Sequence, residues 1–196
     1  MAITASKISW IIPAYMAGGF DIPMLVYNEG NSQTYKVGSP LAVSGGKLVE
    51  ATAATPTTGI AGFALQAGQN IASAPTYPNY GVIYPAGAAN PQGSSTAGVA
   101  SALAPLIMVP AIGGMVFEGT FASNGSDVAV SATDVWVKYG LNKDSGTGYW
   151  YVDKNLTTTN ASVTIVGIKN PQDLVLGTTT GARVFFMVND AETIWT

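Results

Sequence analysis

The sequence predicts an all-β fold: one or two small β-sandwich or barrel-like modules with an extended N-terminal arm and long loops. Three observations predict it. Short runs of β-branched and aromatic residues recur along the 196-residue chain, Gly, Pro, Asn and Ser punctuate them, and no segment sustains a 3.6-residue apolar period.

Residues 1–35 read as an apolar arm that carries Trp10, Ile11, Ile12, Tyr15, Phe20 and Tyr27, with Pro13, Gly18, Gly19 and Pro23 expected to break any regular element. Residues 36–71 read as a first β module, with strands at 41–43, 47–50 and 60–65 and a hairpin turn at Gly45-Gly46. Residues 72–110 form a Pro/Gly/Ala/Tyr-rich connecting or projecting region with Tyr77, Tyr80 and Tyr84 interleaved. Its nearest approach to a helix is 97–108, where Pro105 allows a turn or two at most.

Residues 111–196 read as a second β module. Asn124-Gly125 suits a tight turn between strands at 117–122 and 128–130, and further strands are expected at 135–139, 149–153, 163–168 and 183–188. The two modules share an order of parts. "SPLAVSGGKLVEATAATPTTGIAGFA" and "VWVKYGLNKDSGTGYWYVDKNLTTTNASVTIVGIK" both run strand, Gly-containing turn, strand, Thr-rich loop, strand.

Charged residues make up 10% of the chain, against roughly 25% in an average soluble domain, and the net charge is only -3. Little self-repulsion keeps copies apart, so the chain is expected to work assembled, as a homo-oligomer. An acidic balance without a Lys/Arg cluster offers no footprint for nucleic acid. No run approaches the ~20 apolar residues of a membrane-spanning helix, and Pro13 interrupts the stretch that most resembles a secretory signal.

The chain has no Cys and no His, which removes thiolate nucleophiles, Cys-ligated zinc and the commonest general base. Gly45-Gly46-Lys47 is followed by Leu48 where a phosphate-binding loop needs Ser or Thr, and a strand follows in place of a helix. The loop at 142–148, NKDSGTG, is rich in oxygen ligands but lacks the spacing and the later Glu of a calcium loop. Asp127 with Asp134, and Asp144 with Asp153, are the carboxylate pairs nearest in sequence, without any other mark of a hydrolase. We therefore expect no enzyme, no catalytic, cofactor-binding or metal-ligating residue, and no cofactor. The sequons at Asn124, Asn155 and Asn160 arise readily in a chain rich in Asn, Ser and Thr.

"YKVGSPLAVSGGKLVEATAATPTTGIAGFALQAG", residues 35–68, resembles the phage capsid decoration (cement) proteins and related phage head proteins, with a Gly turn ahead of "KLVEA" and then "IAGFA". The later "VKYGLNKDSGTGYWYVDKN" and "ARVFFMV" are similar to the same family's C-terminal region. The resemblance implies a β-rich, non-enzymatic virion protein, favouring a trimer, that is made in the host cytoplasm, binds the major capsid protein lattice on the outer capsid surface and stabilises the shell. The arm and the 72–98 stretch depart from a minimal member of that family. On this reading Trp10, Ile11, Ile12, Tyr15 and Phe20 are the partner-binding residues. Two alternatives stand beside it: a head-fibre or tail component, and a carbohydrate-binding β-sandwich that stacks sugars on Trp136, Tyr149, Trp150 or Tyr151.

Overall fold

The computed structural model describes residues 8–30, 33–51, 59–68, 105–157, 161–170, 181–189 and 193–194. These residues form β-strands and a single 3-10 turn, with no α-helix among them. The expected 72–98 projection lies outside the described residues.

The larger sheet closes on itself. Its ring consists of β7 (Met115–Ser123), β10 (Trp150–Asp153), β9 (Lys138–Lys143), β11 (Val163–Ile168) and β12 (Arg183–Val188), and β12 pairs back onto β7. Every contact in this ring is antiparallel except β7 with β10. Two short strands extend it at β7: β1 (Ile12–Met16) and β8 (Ser126–Asp127).

The smaller sheet runs β2 (Leu25–Asn28), β6 (Pro105–Pro110), β5 (Gly62–Ala64), β3 (Pro40–Ser44), β4 (Lys47–Glu50). Its neighbours are antiparallel, and a single parallel bridge from Leu48 to Glu29 brings β4 back to β2. The two rings therefore have one topology. Strands β2, β3, β4, β5 and β6 correspond in order to β7, β9, β10, β11 and β12, and in both rings the closing pair is parallel. The shared order of parts in the sequence matches this shared topology.

The smaller sheet draws on three of the segments read from the sequence, because β2 comes from the arm and β6 from the connecting region. Residues 105–108, inside the helical candidate, belong to strand β6. Strand β1 runs through Pro13, where the sequence predicts a break; its register shifts between Pro13 and Tyr15, and an irregular edge tolerates a residue that cannot donate. The Asn124-Gly125 turn does form, at φ 48 and 78, the left-handed values a tight hairpin needs. Its second strand is Ser126–Asp127, not 128–130.

Strand β9 starts later than the expected 135. Ser131 and Asp134 form a capping box around the 3-10 turn Ala132–Asp134, Trp136 follows at φ 66, and the chain extends only from Lys138. The polar cap wins over the β propensity of Val135 and Val137.

Alternation places Val184, Phe186 and Val188 of β12 inside the larger barrel, with Phe121, Tyr139, Leu141, Val152, Val163 and Ile165. Phe63 of β5 packs against Phe117 at 4.4 Å and Phe186 at 6.0 Å between ring centroids, which seats the smaller barrel on the larger. Glu50 of β4 adds a polar clamp, accepting from Trp150 Nε1 at 2.9 Å and from Lys143 Nζ at 2.7 Å. The smaller barrel encloses Tyr35, Leu41, Leu48, Ala64, Leu106 and Met108.

Candidate functional site

The five residues read as partner-binding are not all at the surface. Ile11 is 2% exposed and belongs to the main core, and Ile12 is half-buried in β1. Trp10 lies edge-on to Tyr149 at 6.4 Å, and Tyr15 edge-on to Phe185 at 5.9 Å, each ring about half exposed. Phe20 is 71% exposed.

Further along the same arm, an exposed strip runs from Met24 to Tyr27, of which only Tyr27 was singled out from the sequence. Met24, Leu25, Val26 and Tyr27 are all exposed, Val26 at 65%, and none carries a charge. The alternation of a half-buried strand is absent from Met24 to Tyr27, because successive apolar residues there point to both faces. The run Met24-Leu25-Val26-Tyr27 is the signal the sequence carries for it.

Beside this strip lies a groove of about 320 Å³ lined by Tyr27, Val43, Leu48, Met108 and Ile194. It is the open mouth of the smaller barrel. Leu25 and Tyr27 sit opposite Met108 and Leu106 in register and so share their inward face, yet both remain exposed, as does Val43. Apart from the Tyr27 hydroxyl, the lining side chains are hydrocarbon or thioether, so the groove suits apolar side chains and disfavours an unpaired charge.

The buried carboxylates are committed to the fold. Asp153, wholly buried, accepts from Asn124 N, Asn155 N, Asn142 Nδ2 and Tyr151 Oη. Asp134 accepts from Ser131 N, Tyr139 Oη at 2.6 Å and Lys154 Nζ at 3.2 Å. Burial and then the adjacent carboxylate raise both phenols, Tyr139 beside Asp134 and Tyr151 beside Asp153, far above the ordinary range. In the 142–148 loop, Asp144 Oδ2 accepts from Thr147 N and Thr147 Oγ1, both at 2.6 Å. Among the described residues, no group of three or more Asp and Glu is placed to hold a metal ion.

Glu118 anchors the N-terminal segment. It pairs with Lys169 and Arg183, and Arg183 also donates to Ser9 Oγ and the Trp10 carbonyl, fastening residues 9–10 across β7. Burial alone would raise the Glu118 pKa, but the two cations outweigh it and hold it below 4.5.

Of the four rings considered for sugar stacking, Trp150 and Tyr151 are buried and Tyr149 is partly covered by Trp10. Trp136 alone stands free, 74% exposed, at the rim of a second, shallower depression with Lys138, Thr164 and Asn189.

Fold and surface together define an all-β protein of two like-built five-stranded rings with an uncharged apolar strip on the smaller one. No protein-family model, curated sequence or solved structure matches the chain.

Proposed function

We propose that this chain is a non-enzymatic structural protein of a phage virion, a decoration protein that binds the outer surface of the capsid and stabilises the shell. The observation that carries the proposal is the run Met24, Leu25, Val26 and Tyr27, exposed and uncharged on a body of two packed barrels. Contiguous apolar surface of this kind marks an interface, and aromatic side chains within it supply the anchors. The partner is the major capsid protein lattice, reached by a homo-oligomer, with a trimer favoured.

A shell offers the same contact many times, so a modest interface per copy gives durable attachment when copies bind together. The low-charge surface suits this crowding, since neighbouring copies repel each other little. No cofactor takes part.

The test is sedimentation of the protein with empty shells assembled from the phage's major capsid protein. Fixed stoichiometric occupancy is expected, together with a higher dissociation temperature for the decorated shell. Val26→Asp places a charge in the strip and should reduce occupancy at least tenfold without changing the fold. Absence of any occupancy by the native protein sinks the proposal.

A further inference from the structure

The shared strand order reveals a difference at the closing strand of the smaller barrel. In the larger ring, one edge of β7 meets two partners in succession: β10 at Phe121 and Ala122, and β1 at Met115, Val116, Phe117 and Glu118. In the smaller ring, the corresponding edge of β2 meets β4 only through the bridge at Glu29, with Gly30 N donating to Leu48 O at 2.6 Å. The stretch Leu25–Tyr27, which corresponds to the part of β7 covered by β1, has no second strand beside it among the described residues.

The polarity of that edge follows from the ladder. Leu65 N donates to Ile107 O, so Ile107 turns its hydrogen-bonding groups toward β5, and alternation leaves Leu106 and Met108 to bond Tyr27 and Leu25. Val26 therefore presents its N–H and C=O on the open side. Directly beside this unpaired backbone lies the apolar groove of Tyr27, Val43, Leu48, Met108 and Ile194.

We infer that this edge of β2 receives an extended strand from the shell subunit, pairing antiparallel as β1 does on β7 and placing alternate apolar side chains in the groove. The inference rests on the decoration reading and names its docking mode. Backbone hydrogen bonds to Val26 supply the attachment, and the groove supplies the choice of side chain. An uncharged segment is required, because a charged side chain in this groove would lose its water without gaining a partner. Strand β1, with the sequence IPAYM, shows the composition such an edge accepts within this same chain. Edge strands that proteins keep unpaired are normally guarded by Lys, Pro or a bulge, and β2, with the sequence LVYN, carries none of these.

Two measurements on the full chain test this. Hydrogen exchange across residues 24–29, followed by mass spectrometry, should show a fast-exchanging β2 amide in the free protein that becomes protected on shells. Val26→Pro removes the outward donor while leaving the bonds of Leu25 and Tyr27 to β6, and should lower shell occupancy at least tenfold. Val26→Ala, which keeps the N–H, should retain most of it. Native occupancy with Val26→Pro equal to native overturns the strand inference and leaves the decoration reading intact. Protection of the same amide in the free protein, whether by a second copy or by another part of the chain, also overturns it. No occupancy by the native protein overturns the decoration reading itself.

Discussion

The two barrels share a strand order and differ in how they close. Strand β7, nine residues long and buried over nearly its whole length, closes the larger ring through a parallel ladder at Phe121 and Ala122 and still has length left for β1 and β8. Strand β2 has four residues and closes the smaller ring only through the bridge beyond its end. The length of the closing strand decides whether the interior is sealed. A sealed ring becomes a core that carries stability, and an open one leaves apolar surface available for binding.

Equivalent truncations should expose this contrast most strongly. Phe121→Ala removes a wholly buried ring that meets Tyr139 edge-on at 5.3 Å and should cost about 3–5 kcal/mol by chemical denaturation. Tyr27→Ala, in the mouth of the smaller barrel, should cost less, about 1 kcal/mol, because the residue is already 42% exposed. Equal costs would mean that the smaller barrel is as tightly sealed as the larger.

The next effect concerns what holds the N-terminal segment over β7. Glu118→Gln leaves Arg183 and Lys169 without their carboxylate and should cost about 2 kcal/mol, less than a fully buried pair because both cations reach solvent. The same group sets a pH dependence. Its folded pKa lies below 4.5, so its stabilisation is present in full above that value and disappears as pH falls through the folded pKa. Melting temperature should therefore drop on acidification below about pH 4.5, and the drop should be smaller in Glu118→Gln. A drop of the same size in both proteins would assign acid sensitivity to other carboxylates.

The smallest effect has the opposite sign. Trp136 holds a left-handed backbone at φ 66 with its ring mostly in solvent, a conformation that glycine adopts without steric cost. Trp136→Gly should stabilise the larger barrel by about 1 kcal/mol, seen as a rise of about 2–4 °C in melting temperature. A loss of stability would show that the ring's remaining contacts outweigh the backbone strain.

Much of the fold was legible because β-rich sequences punctuate themselves. The strands at 47–50, 163–168 and 183–188 coincide with the observed elements, and the Gly45-Gly46 and Asn124-Gly125 turns form where expected. These features are local: alternation, branched side chains and access to positive φ act within a few residues. The strand expected from 135 was misplaced because Asp134, bonded by Tyr139 and, from twenty positions further on, by Lys154, supports the capped turn that precedes it. The candidate surface was harder to read. Ile11 and Phe20 are equally apolar in the sequence, and only packing puts Ile11 inside the core and Phe20 in solvent.

The sequence by itself determined the all-β class, the turns and the repeated order of strand, turn, strand, loop and strand, because these depend on local sterics and periodicity. Tertiary structure alone decided which distant strands become neighbours in the rings, since pairing β2 with β6 and β7 with β12 joins residues about 80 and 65 positions apart, beyond the reach of any local signal. It also decided that one ring is sealed and the other open, because that depends on how far a closing strand reaches across a barrel whose width is set by the other four.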